Sequence, residues 1–228
     1  MDVCMEVALI TGANKGIGLE LVHKLLNNNF KVIALSKNVD NLEKIVDSNL
    51  KIYQVDLLEV NKVLKVLNEL KKEKIYIDVL INNAGIGLFK KIEEYTIKEW
   101  NDIIQVNLTI PFILINQLLP CMKEKGHGRI INIGSDADTV PFSEAGAYCA
   151  SKYGLRGMTE CIRLDLKKSN INITTISPGR VDTYFNGKFP GCRPNALQAS
   201  DIANQVLFVL VQDPRCNIDQ IKLTSSCE

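Results

Sequence analysis

Apolar runs of strand length alternate along the whole chain with longer stretches whose apolar residues recur at helical spacing. The apolar runs predict seven strands, at residues 6–11, 31–36, 51–55, 79–82, 128–134, 171–177 and 218–223. The stretches between them predict helices near residues 16–28, 39–47, 59–73, 97–125, 148–169 and 200–212. This alternation predicts an α/β fold with a doubly wound parallel sheet of about seven strands, helices on both faces, and a ligand crevice at the carboxyl ends of the strands.

Length and composition agree with one such domain. The chain has 228 residues, of which 46% are hydrophobic, and this is enough for one well-buried domain over residues 1–228 but too little for a second domain of usual size. The formal net charge of +1 gives no support for nucleic acid or an anionic membrane as a partner. We therefore expect a single domain with no nucleic acid and no membrane among its partners.

Cysteine usage and the N-terminus indicate the compartment. Seven cysteines, at positions 4, 121, 149, 161, 192, 216 and 227, form no CxxC pair and no metal-ligand pattern with the two histidines. Such a scattered, odd set indicates free thiols in a reducing compartment and no metal site. The N-terminus enters the first predicted strand without signal-peptide features, and the most apolar segment, residues 111–119, is too short to span a bilayer. We expect a soluble, cytoplasmic protein.

The segment after the first predicted strand is rich in glycine and reads Thr11-Gly12-Ala13-Asn14-Lys15-Gly16-Ile17-Gly18. Gly12 would allow a tight turn, while Gly16 and Gly18 would let the backbone approach a phosphate and let the next helix lie against the sheet. The anion would then lie at a helix N-terminus, where N–H groups and the helix dipole favour it. An ordinary glycine-rich turn is the alternative, because the spacing Gly-x3-Gly-x-Gly differs from the more common Gly-x-Gly-x2-Gly.

The carboxyl ends of four further predicted strands also carry polar or glycine residues. These are Asp56-Leu57 after the third strand, Asn82-Asn83-Ala84-Gly85 after the fourth, Gly134-Ser135 after the fifth and Pro178-Gly179 after the sixth. Taken singly, each is explained by a helix cap, a turn or a helix-blocking bend. Because parallel strands end at one edge of a sheet, together they indicate a binding site.

Tyr148 and Lys152 are four residues apart in a predicted helix, which places a phenol and an ammonium group side by side. A neighbouring cation favours the phenolate, so we expect the pKa of Tyr148 to fall from about 10 toward the working range of an acid/base catalyst. Alone, such a pair more often marks a solvated helix face. Together with a phosphate-binding loop it suggests hydride chemistry on a nucleotide cofactor.

In these segments the chain resembles the short-chain dehydrogenase/reductase family, over essentially its whole length. The matching residues, in the family's order and spacing, are the loop from Thr11 to Gly18, Asn82-Asn83-Ala84-Gly85, Asn107, Ser135, Tyr148-x3-Lys152 and Pro178-Gly179. The resemblance implies a Rossmann-like fold with a nicotinamide cofactor along the strand ends. The residues expected at the cofactor are Gly12, Asn14, Lys15, Gly16, Ile17, Gly18, Ser36, Lys37, Asp56, Leu57, Asn83, Ala84, Gly85, Tyr148, Lys152, Pro178, Gly179 and Val181.

The resemblance also implies catalytic roles for Asn107, Ser135, Tyr148 and Lys152. Tyr148 would exchange a proton with the reacting oxygen of a carbonyl or alcohol substrate, and Ser135 would hydrogen-bond the same oxygen. Lys152 would hold the nicotinamide ribose and bias Tyr148 toward ionisation. Asn107 would organise a water that links Lys152 to solvent, and a satisfied interior asparagine is the alternative.

Charge at the end of the second predicted strand bears on the choice of cofactor. NAD-selective members of the family commonly carry an acid there for the ribose 2′-hydroxyl, whereas a 2′-phosphate requires cations. Ser36 occupies that position, Lys37 follows it, and Lys15 lies in the glycine loop. We expect NADP(H), with NAD(H) as the weaker alternative, unless both lysines are simply solvated surface residues.

The residues do not identify the substrate, but the resemblance implies that residues 180–190 cover it. The aromatic residues that would form an apolar wall, or would pack this segment down, are Phe142, Tyr184, Phe185 and Phe189. Asp136 and Asp138 follow Ser135, where small or apolar residues are frequent in the family. Carboxylates at the pocket would suit a basic or polyhydroxylated substrate, although we favour the interpretation that both acids point to water.

The main hypothesis is an NADP(H)-dependent carbonyl reductase or alcohol dehydrogenase with a small-molecule substrate. A nucleotide-binding regulator or scaffold with the same fold is the alternative, because fold alone does not establish activity. An epimerase or dehydratase acting on nucleotide sugars ranks last, since such enzymes usually have a substantial substrate domain and only about fifty residues follow Pro178. The resemblance also implies a homodimer or homotetramer joined through the helices that contain Asn107 and Tyr148.

Overall fold

A seven-stranded parallel sheet forms the centre of the fold in the computed structural model, which describes residues 5–227. The strands are β1 (Val7–Thr11), β2 (Lys31–Ser36), β3 (Leu50–Gln54), β4 (Val79–Asn82), β5 (Gly128–Ile133), β6 (Ile171–Pro178) and β7 (Gln220–Leu223). They run in the order β3-β2-β1-β4-β5-β6-β7, and every neighbouring pair is parallel. The seven predicted strands are therefore confirmed, with ends that differ by a few residues.

Helices cover both faces of the sheet, which confirms the doubly wound, Rossmann-like architecture. They are α1 (Gly16–Leu26), α2 (Val60–Lys72), α3 (Ile97–Ile104), α4 (Ile110–Lys125), α5 (Gly146–Asp165) and α6 (Ala199–Leu210). Ala8 and Ile10 of β1 pack under α1 and α6, whereas Leu9 packs under α2 and α4 on the opposite face. Alternating side chains along one strand thus contribute to two separate hydrophobic layers.

The crevice lies where the strand order reverses, between β1 and β4. Thr11 at the end of β1 is tied to the chain that follows β4. Thr11 Oγ1 accepts the N–H groups of Asn83 (3.1 Å) and Ala84 (3.0 Å), and Asn83 Nδ2 donates to the Thr11 carbonyl oxygen (2.9 Å). These hydrogen bonds fix the glycine loop relative to the segment after β4.

The predicted helix over residues 39–47 is wrong, because residues 40–44 form a turn. Asn14 Oδ1, in the glycine loop, accepts the N–H groups of Asn41 (2.9 Å) and Leu42 (3.3 Å). Leu42 is fully buried in the core beside α1. A segment this short does not form a stable helix by itself, so these tertiary contacts decide its conformation.

The predicted single helix over residues 97–125 is interrupted by a π-helical turn at Gln105–Thr109, between α3 and α4. Pro111 lacks the N–H group that would bond to the Asn107 carbonyl in a continuous α-helix. The Ile110 N–H group bonds instead to the Gln105 carbonyl, five residues back. Such turns are frequent at functional sites, and this one carries Asn107.

The combined segment Ile97–Lys125 is long and apolar enough to cross a membrane by length and composition alone. In the fold, however, one side of α4 packs against the sheet through Ile110, Leu114, Ile115 and Met122. The segment is therefore part of the domain core.

The cysteines among the described residues, at 121, 149, 161, 192, 216 and 227, are free thiols, and Cys4 lies outside the described residues.

Candidate active site

The glycine loop between β1 and α1 has the geometry of an anion-binding turn. Gly12 (φ 67°) and Gly16 (φ 56°) adopt left-handed backbone conformations that favour glycine. A Cβ atom at Gly18 would lie 2.1 Å from the Gly12 carbonyl oxygen, so the packing of α1 on the loop requires glycine there. Helix α1 begins at Gly16 without a side-chain cap, which leaves its first N–H groups available to a phosphate.

A cavity of about 540 Å³ extends from this loop across the ends of β2 and β4. It is lined by thirteen of the predicted cofactor residues: Gly12, Asn14, Lys15, Gly16, Ile17, Gly18, Ser36, Lys37, Asp56, Leu57, Asn83, Ala84 and Gly85. The Asn14 side chain also holds the turn over residues 40–44. The structure therefore brings together residues that are separated by more than seventy positions in the sequence.

A second cavity, of about 760 Å³, adjoins the first and is lined by Ser135, Tyr148 and Lys152. The residues that line both cavities are Ile17, Asn83, Gly85, Thr183, Phe185 and Asn186. The remaining predicted cofactor residues, which line the second cavity, are Tyr148, Lys152, Pro178, Gly179 and Val181. The two cavities form a continuous cleft, with the glycine loop toward one end and the Tyr/Ser pair toward the other.

Tyr148 lies in an apolar environment. Its side chain is buried, and the ring centroids of Phe89 and Phe185 each lie 5.6 Å from its own. Burial raises the pKa of Tyr148 to about 12, while hydrogen bonding with Ser135 acts in the opposite direction. The expected fall in the pKa of Tyr148 is therefore wrong, because loss of hydration on burial is the largest influence on this group.

Lys152 lies at the floor of the same cavity and is only 4% exposed. Its Nζ atom donates to the Ile133 carbonyl oxygen (2.8 Å) and lies 5.8 Å from the centroid of the Tyr148 ring. Burial lowers the pKa of Lys152 to about 8, and the negative charge of Asp138 opposes this change. The predicted neighbours on α5 are thus close in space, with the ammonium group bonded to the end of β5.

Ser135 directly follows β5 and faces the cavity that contains Tyr148. Its hydroxyl donates to Asp136 Oδ1 (2.9 Å) and accepts the Ala137 N–H group (3.2 Å). The second bond caps a short 3-10 helix, Asp136–Asp138. Ser135 is therefore held at the cavity wall by the helix that follows it.

The two acids after Ser135 differ in position. Asp136 is exposed and lines the second cavity. Asp138 is fully buried, and its Oδ2 atom accepts the Ser177 hydroxyl (2.5 Å). The interpretation that both acids point to water is therefore wrong for Asp138, since its carboxylate lies inside the fold beneath the end of β5.

Asn107 lies in the π turn and is 1% exposed. Its Oδ1 atom accepts the Ile86 N–H group (2.9 Å), and its Nδ2 atom donates to the Ile86 carbonyl (2.9 Å) and to Ser151 Oγ (3.0 Å). A Cβ atom at Gly85 would lie 3.6 Å from Asn107 Oδ1 and 3.8 Å from Lys152 Nζ. Asn107 is thus a satisfied interior residue near Lys152, and its water-organising role stays a prediction.

Two lysines border the cavity near the end of β2. Lys37 Nζ pairs with Asp56 Oδ2 (2.7 Å), and this hydrogen bond lowers the pKa of Asp56 and raises that of Lys37. Ser36, the last residue of β2, is buried beside them. Lys15 precedes α1, and its Nζ atom lies 5.5 Å from the centroid of the Tyr184 ring. Positive charge therefore reaches this end of the cleft from two directions.

The segment after β6 runs beside both cavities and is closed into a loop by Asp182. Asp182 Oδ2 accepts the Gly191 N–H group (2.5 Å), and Oδ1 accepts the Arg193 N–H group (3.2 Å). The Arg193 side chain donates to the Val181 carbonyl (3.2 Å) and lines the second cavity. Sequence reasoning did not identify Arg193, because it lies fifteen residues beyond the end of β6 and matches no motif.

Aromatic side chains form much of the apolar wall. Phe142 and Phe185 line the second cavity, whereas Tyr184 lines the first and packs against Phe189 at a centroid distance of 6.2 Å. Phe89, which sequence reasoning also missed, lies 5.3 Å from Phe142 between ring centroids. Phe89 follows β4 by seven residues, so its position at the cavity depends on the path of a loop that the sequence pattern does not reveal.

A family model described as short chain dehydrogenase matches residues 6–190. The chain belongs to the short-chain dehydrogenase/reductase family. An uncharacterized oxidoreductase of Staphylococcus saprophyticus is 29% identical over 223 residues, which cover 95% of this chain and 95% of that protein. The similarity to this oxidoreductase thus covers nearly the whole of both proteins.

Solved structures have the same architecture as this short-chain dehydrogenase/reductase. The closed form of a serine dehydrogenase complexed with NADP⁺ gives a TM-score of 0.89 at 29% identity and covers 97% of this chain and 96% of that one. An alcohol dehydrogenase from the archaeon Thermococcus sibiricus, complexed with 5-hydroxy-NADP, gives 0.90 at 26% identity and covers 98% of each chain. A 4-hydroxyisoleucine dehydrogenase complexed with NADH gives 0.87 at 28% identity and covers 96% and 97%.

The cleft of this oxidoreductase is suited to a nicotinamide dinucleotide. Its glycine loop leaves no room for a Cβ atom at position 18 and exposes the start of α1, as a bound pyrophosphate requires. The adjoining cavity is lined by two residues that carry hydroxyl groups, Ser135 and Tyr148. Residues 5–227 contain no group of three or more His, Cys, Asp or Glu side chains that could hold a metal ion.

Proposed function

We propose that this family member is an NADP(H)-dependent oxidoreductase that interconverts a carbonyl group and a primary or secondary alcohol. The observation that supports this most strongly is that Ser135, Tyr148 and Lys152 line one cavity, which adjoins the cavity of the glycine loop. An oxygen atom between the hydroxyl groups of Ser135 and Tyr148 could contact both. The reaction that the site can catalyse depends on which of these groups can hold and transfer a proton at that oxygen atom.

A bound nicotinamide cofactor supplies the hydride in such a reaction. In reduction, Tyr148 donates its proton to the carbonyl oxygen, and a pKa of about 12 keeps the phenol protonated at neutral pH. Ser135 stabilises the negative charge that develops on the same oxygen. In oxidation the Tyr148 phenolate accepts the proton from the alcohol, and its hydrogen bond with Ser135 favours this ionised form.

Asn107 acts as a positioning residue in this proposal. Its amide holds the backbone of Ile86 through two hydrogen bonds and contacts Ser151, one residue before Lys152. This arrangement orients the loop after β4 relative to α5. A water between Asn107 and Lys152 would let the proton of Tyr148 exchange with solvent, as the family resemblance implies.

The proposed preference for NADP(H) over NAD(H) rests on the end of β2. Ser36 replaces the acid that would accept the ribose 2′-hydroxyl, and Lys37 and Lys15 line the same cavity. The pairing of Lys37 with Asp56 reduces its net contribution, but the lysine remains exposed and could also contact a 2′-phosphate. Solved relatives carry either cofactor: the serine dehydrogenase carries NADP⁺ and the 4-hydroxyisoleucine dehydrogenase carries NADH.

The substrates to test first follow from the same relatives. Two of them are named for serine and 4-hydroxyisoleucine, which are hydroxy amino acids, and one relative is an alcohol dehydrogenase. A panel should therefore include neutral, cationic, anionic and zwitterionic alcohols together with the matching aldehydes and ketones. Turnover is measured by the change in absorbance of the nicotinamide with NADPH, NADP⁺, NADH and NAD⁺.

The decisive variant is Tyr148→Phe, which removes the hydroxyl and keeps the ring that packs against Phe89 and Phe185. We expect kcat to fall by about 10²–10⁴-fold, the usual contribution of general acid/base catalysis. NADPH affinity, measured by fluorescence titration, should change little. Tyr153→Phe is the matched control, because Tyr153 is exposed on the same helix.

Two results would count against the proposal. Wild-type turnover in Tyr148→Phe would show that the phenol is not the acid/base group. NADPH binding without turnover of any panel substrate would favour the nucleotide-binding regulator instead.

A further inference from the structure

Asp136 is an exposed carboxylate on the wall of the reaction cavity, next to Ser135. Its Oδ1 atom accepts the Ser135 hydroxyl at 2.9 Å, and a Cβ atom at Gly179 would lie 3.7 Å from its Oδ2 atom. The backbone is fixed as well, since the Asp136 carbonyl accepts the N–H groups of Thr139 (3.0 Å) and Val140 (2.9 Å). A negative charge is therefore held beside the hydroxyl that we assign to the reacting oxygen.

The distance between this carboxylate and the reacting oxygen follows from two contacts of Ser135 Oγ. Ser135 Oγ lies 2.9 Å from Asp136 Oδ1, and it would lie about 2.8 Å from a bound substrate oxygen once its single proton turns from Asp136 to that oxygen, which leaves Oδ1 free to accept a proton donor of the substrate. The substrate oxygen is therefore at most about 5.7 Å from Oδ1. An ammonium group one or two carbons from the reacting carbon can span this gap and bond to the carboxylate.

The charges around the cavity are separated by sign. Asp136 lies on the side formed after β5, whereas Lys188 and Arg193 belong to the covering segment after β6, taken here as residues 180–193. Lys152 lies at the floor and donates to the Ile133 carbonyl. A cationic group on a substrate is attracted to the first side and repelled by the second, which defines its orientation over the catalytic hydroxyls.

We propose that Asp136 binds an ammonium group of the substrate, and that the enzyme acts on amino alcohols and the corresponding amino ketones whose nitrogen lies one or two carbons from the reacting carbon. The inference rests on the proposed function, because it assumes a substrate oxygen over Ser135 and Tyr148. A charge-assisted hydrogen bond in a partly enclosed cavity is stronger than one between neutral groups, so it can discriminate between substrates of equal size.

Oxidation of three small alcohols with NADP⁺ tests this assignment. 1-Amino-2-propanol carries an ammonium group where 2-butanol carries a methyl group, and lactate carries a carboxylate in place of the whole aminomethyl group. We expect wild-type kcat/KM for 1-amino-2-propanol to exceed that for each of the others by at least about tenfold, as expected for one charge-assisted hydrogen bond. The proposal would be overturned if kcat/KM for 1-amino-2-propanol did not exceed kcat/KM for both 2-butanol and lactate.

Variants of Asp136 separate charge recognition from structure. Asp136→Asn retains an oxygen that can accept the Ser135 hydroxyl, so it should abolish the tenfold preference by lowering kcat/KM for 1-amino-2-propanol much more than for 2-butanol. Asp136→Glu should restore part of the preference because it restores the charge. The matched control is Asp165→Asn, an equal charge change at the far end of α5, about 25 Å along the helix from Tyr148.

The possible outcomes distinguish the inference about Asp136 from the proposed oxidoreductase function. Equal losses for all three alcohols in Asp136→Asn would overturn the inference and assign Asp136 a structural role. A wild-type preference for lactate would overturn it in favour of recognition by the cations of the covering segment. Turnover of neutral alcohols without charge preference would leave the proposed function standing and overturn this inference alone. No turnover of any alcohol or carbonyl with either cofactor would overturn both.

Discussion

At the scale of single residues, Lys152 carries its charge where burial makes that charge costly. Its Nζ atom has the Ile133 carbonyl as a hydrogen-bond partner, and the buried carboxylate of Asp138 partly offsets the loss of hydration. Tyr148 is subject to the same effect with the opposite sign, because burial disfavours its phenolate. The site therefore holds a protonated phenol and a weakened ammonium group, which are both suited to gaining or losing a proton.

The cost of this buried charge predicts a pH-dependent difference in stability between the wild type and Lys152→Met. The pKa of Lys152 falls from 10.5 to about 8 on folding, so between these values the unfolded chain binds more protons than the folded one. The unfolding free energy of the wild type should therefore rise relative to the variant as pH increases from 8 to 10.5. Urea denaturation of both proteins at pH 7, 8.5 and 10 measures this change.

The comparison with Lys152→Met cancels the contribution of other groups, including Tyr148, whose ionisation lowers stability at higher pH. A difference between the two proteins that stays constant from pH 7 to 10 would contradict the depressed pKa of Lys152. A difference that changes in the opposite direction would mean that folding raises this pKa.

At the scale of elements, the junction between β1 and α1 requires glycine at position 18. The cause is the contact between α1 and the glycine loop, and not the helical conformation itself. A Cβ atom at Gly18 would lie 2.1 Å from the Gly12 carbonyl oxygen and 2.7 Å from Asn83 Nδ2. The backbone of the loop must therefore move in Gly18→Ala. We expect an unfolding free energy lower by about 1–3 kcal/mol, as for overpacking, and weaker NADPH binding.

Gly157 in α5 provides the matched control, since a Cβ atom there meets open space. Gly157→Ala should be neutral or should stabilise the protein by about 0.5–1 kcal/mol, because alanine favours the helix. Denaturant titration and NADPH fluorescence titration of both variants test the contrast. Wild-type NADPH affinity in Gly18→Ala would argue against the glycine loop as the phosphate site.

Individual elements differ in how well the sequence predicted them. Strands and the glycine loop were predictable because apolar runs and glycine spacing are local signals. The turn over residues 40–44 was not, since its conformation is set by Asn14, more than twenty residues earlier. The π turn has a local cause in Pro111, but apolar periodicity through residues 97–125 concealed it.

At the scale of the whole molecule, the cleft is assembled from two kinds of segment. The loops at the carboxyl ends of β1, β2, β4 and β5 occupy one edge of the sheet, so their site residues could be predicted from topology. Phe89 and Arg193 lie in longer connections whose path depends on packing. The sequence therefore indicated most of the predicted residues that line the two cavities, including Phe142 and Phe185 of the apolar wall, while the positions of Phe89 and Arg193 required the structure.

The outer surface of the molecule bears on its assembly. Phe112 on α4 is 52% exposed, and Tyr153 and Leu164 on α5 are 43% and 61% exposed. These are the helical regions through which the family resemblance implies a dimer or tetramer, and large exposed apolar side chains are typical of such interfaces. Sedimentation analysis of the wild type should therefore give a mass above that of a monomer.

A charged double variant tests which surface forms the contact. Phe112→Asp with Leu164→Asp would place carboxylates in an apolar interface, and we expect a shift to smaller species with an unchanged circular dichroism spectrum. Val46→Asp is the control, because Val46 is fully exposed in the connection before β3, outside these helices. A monomeric wild type, or a double variant that sediments as the wild type does, would show that α4 and α5 do not join the subunits.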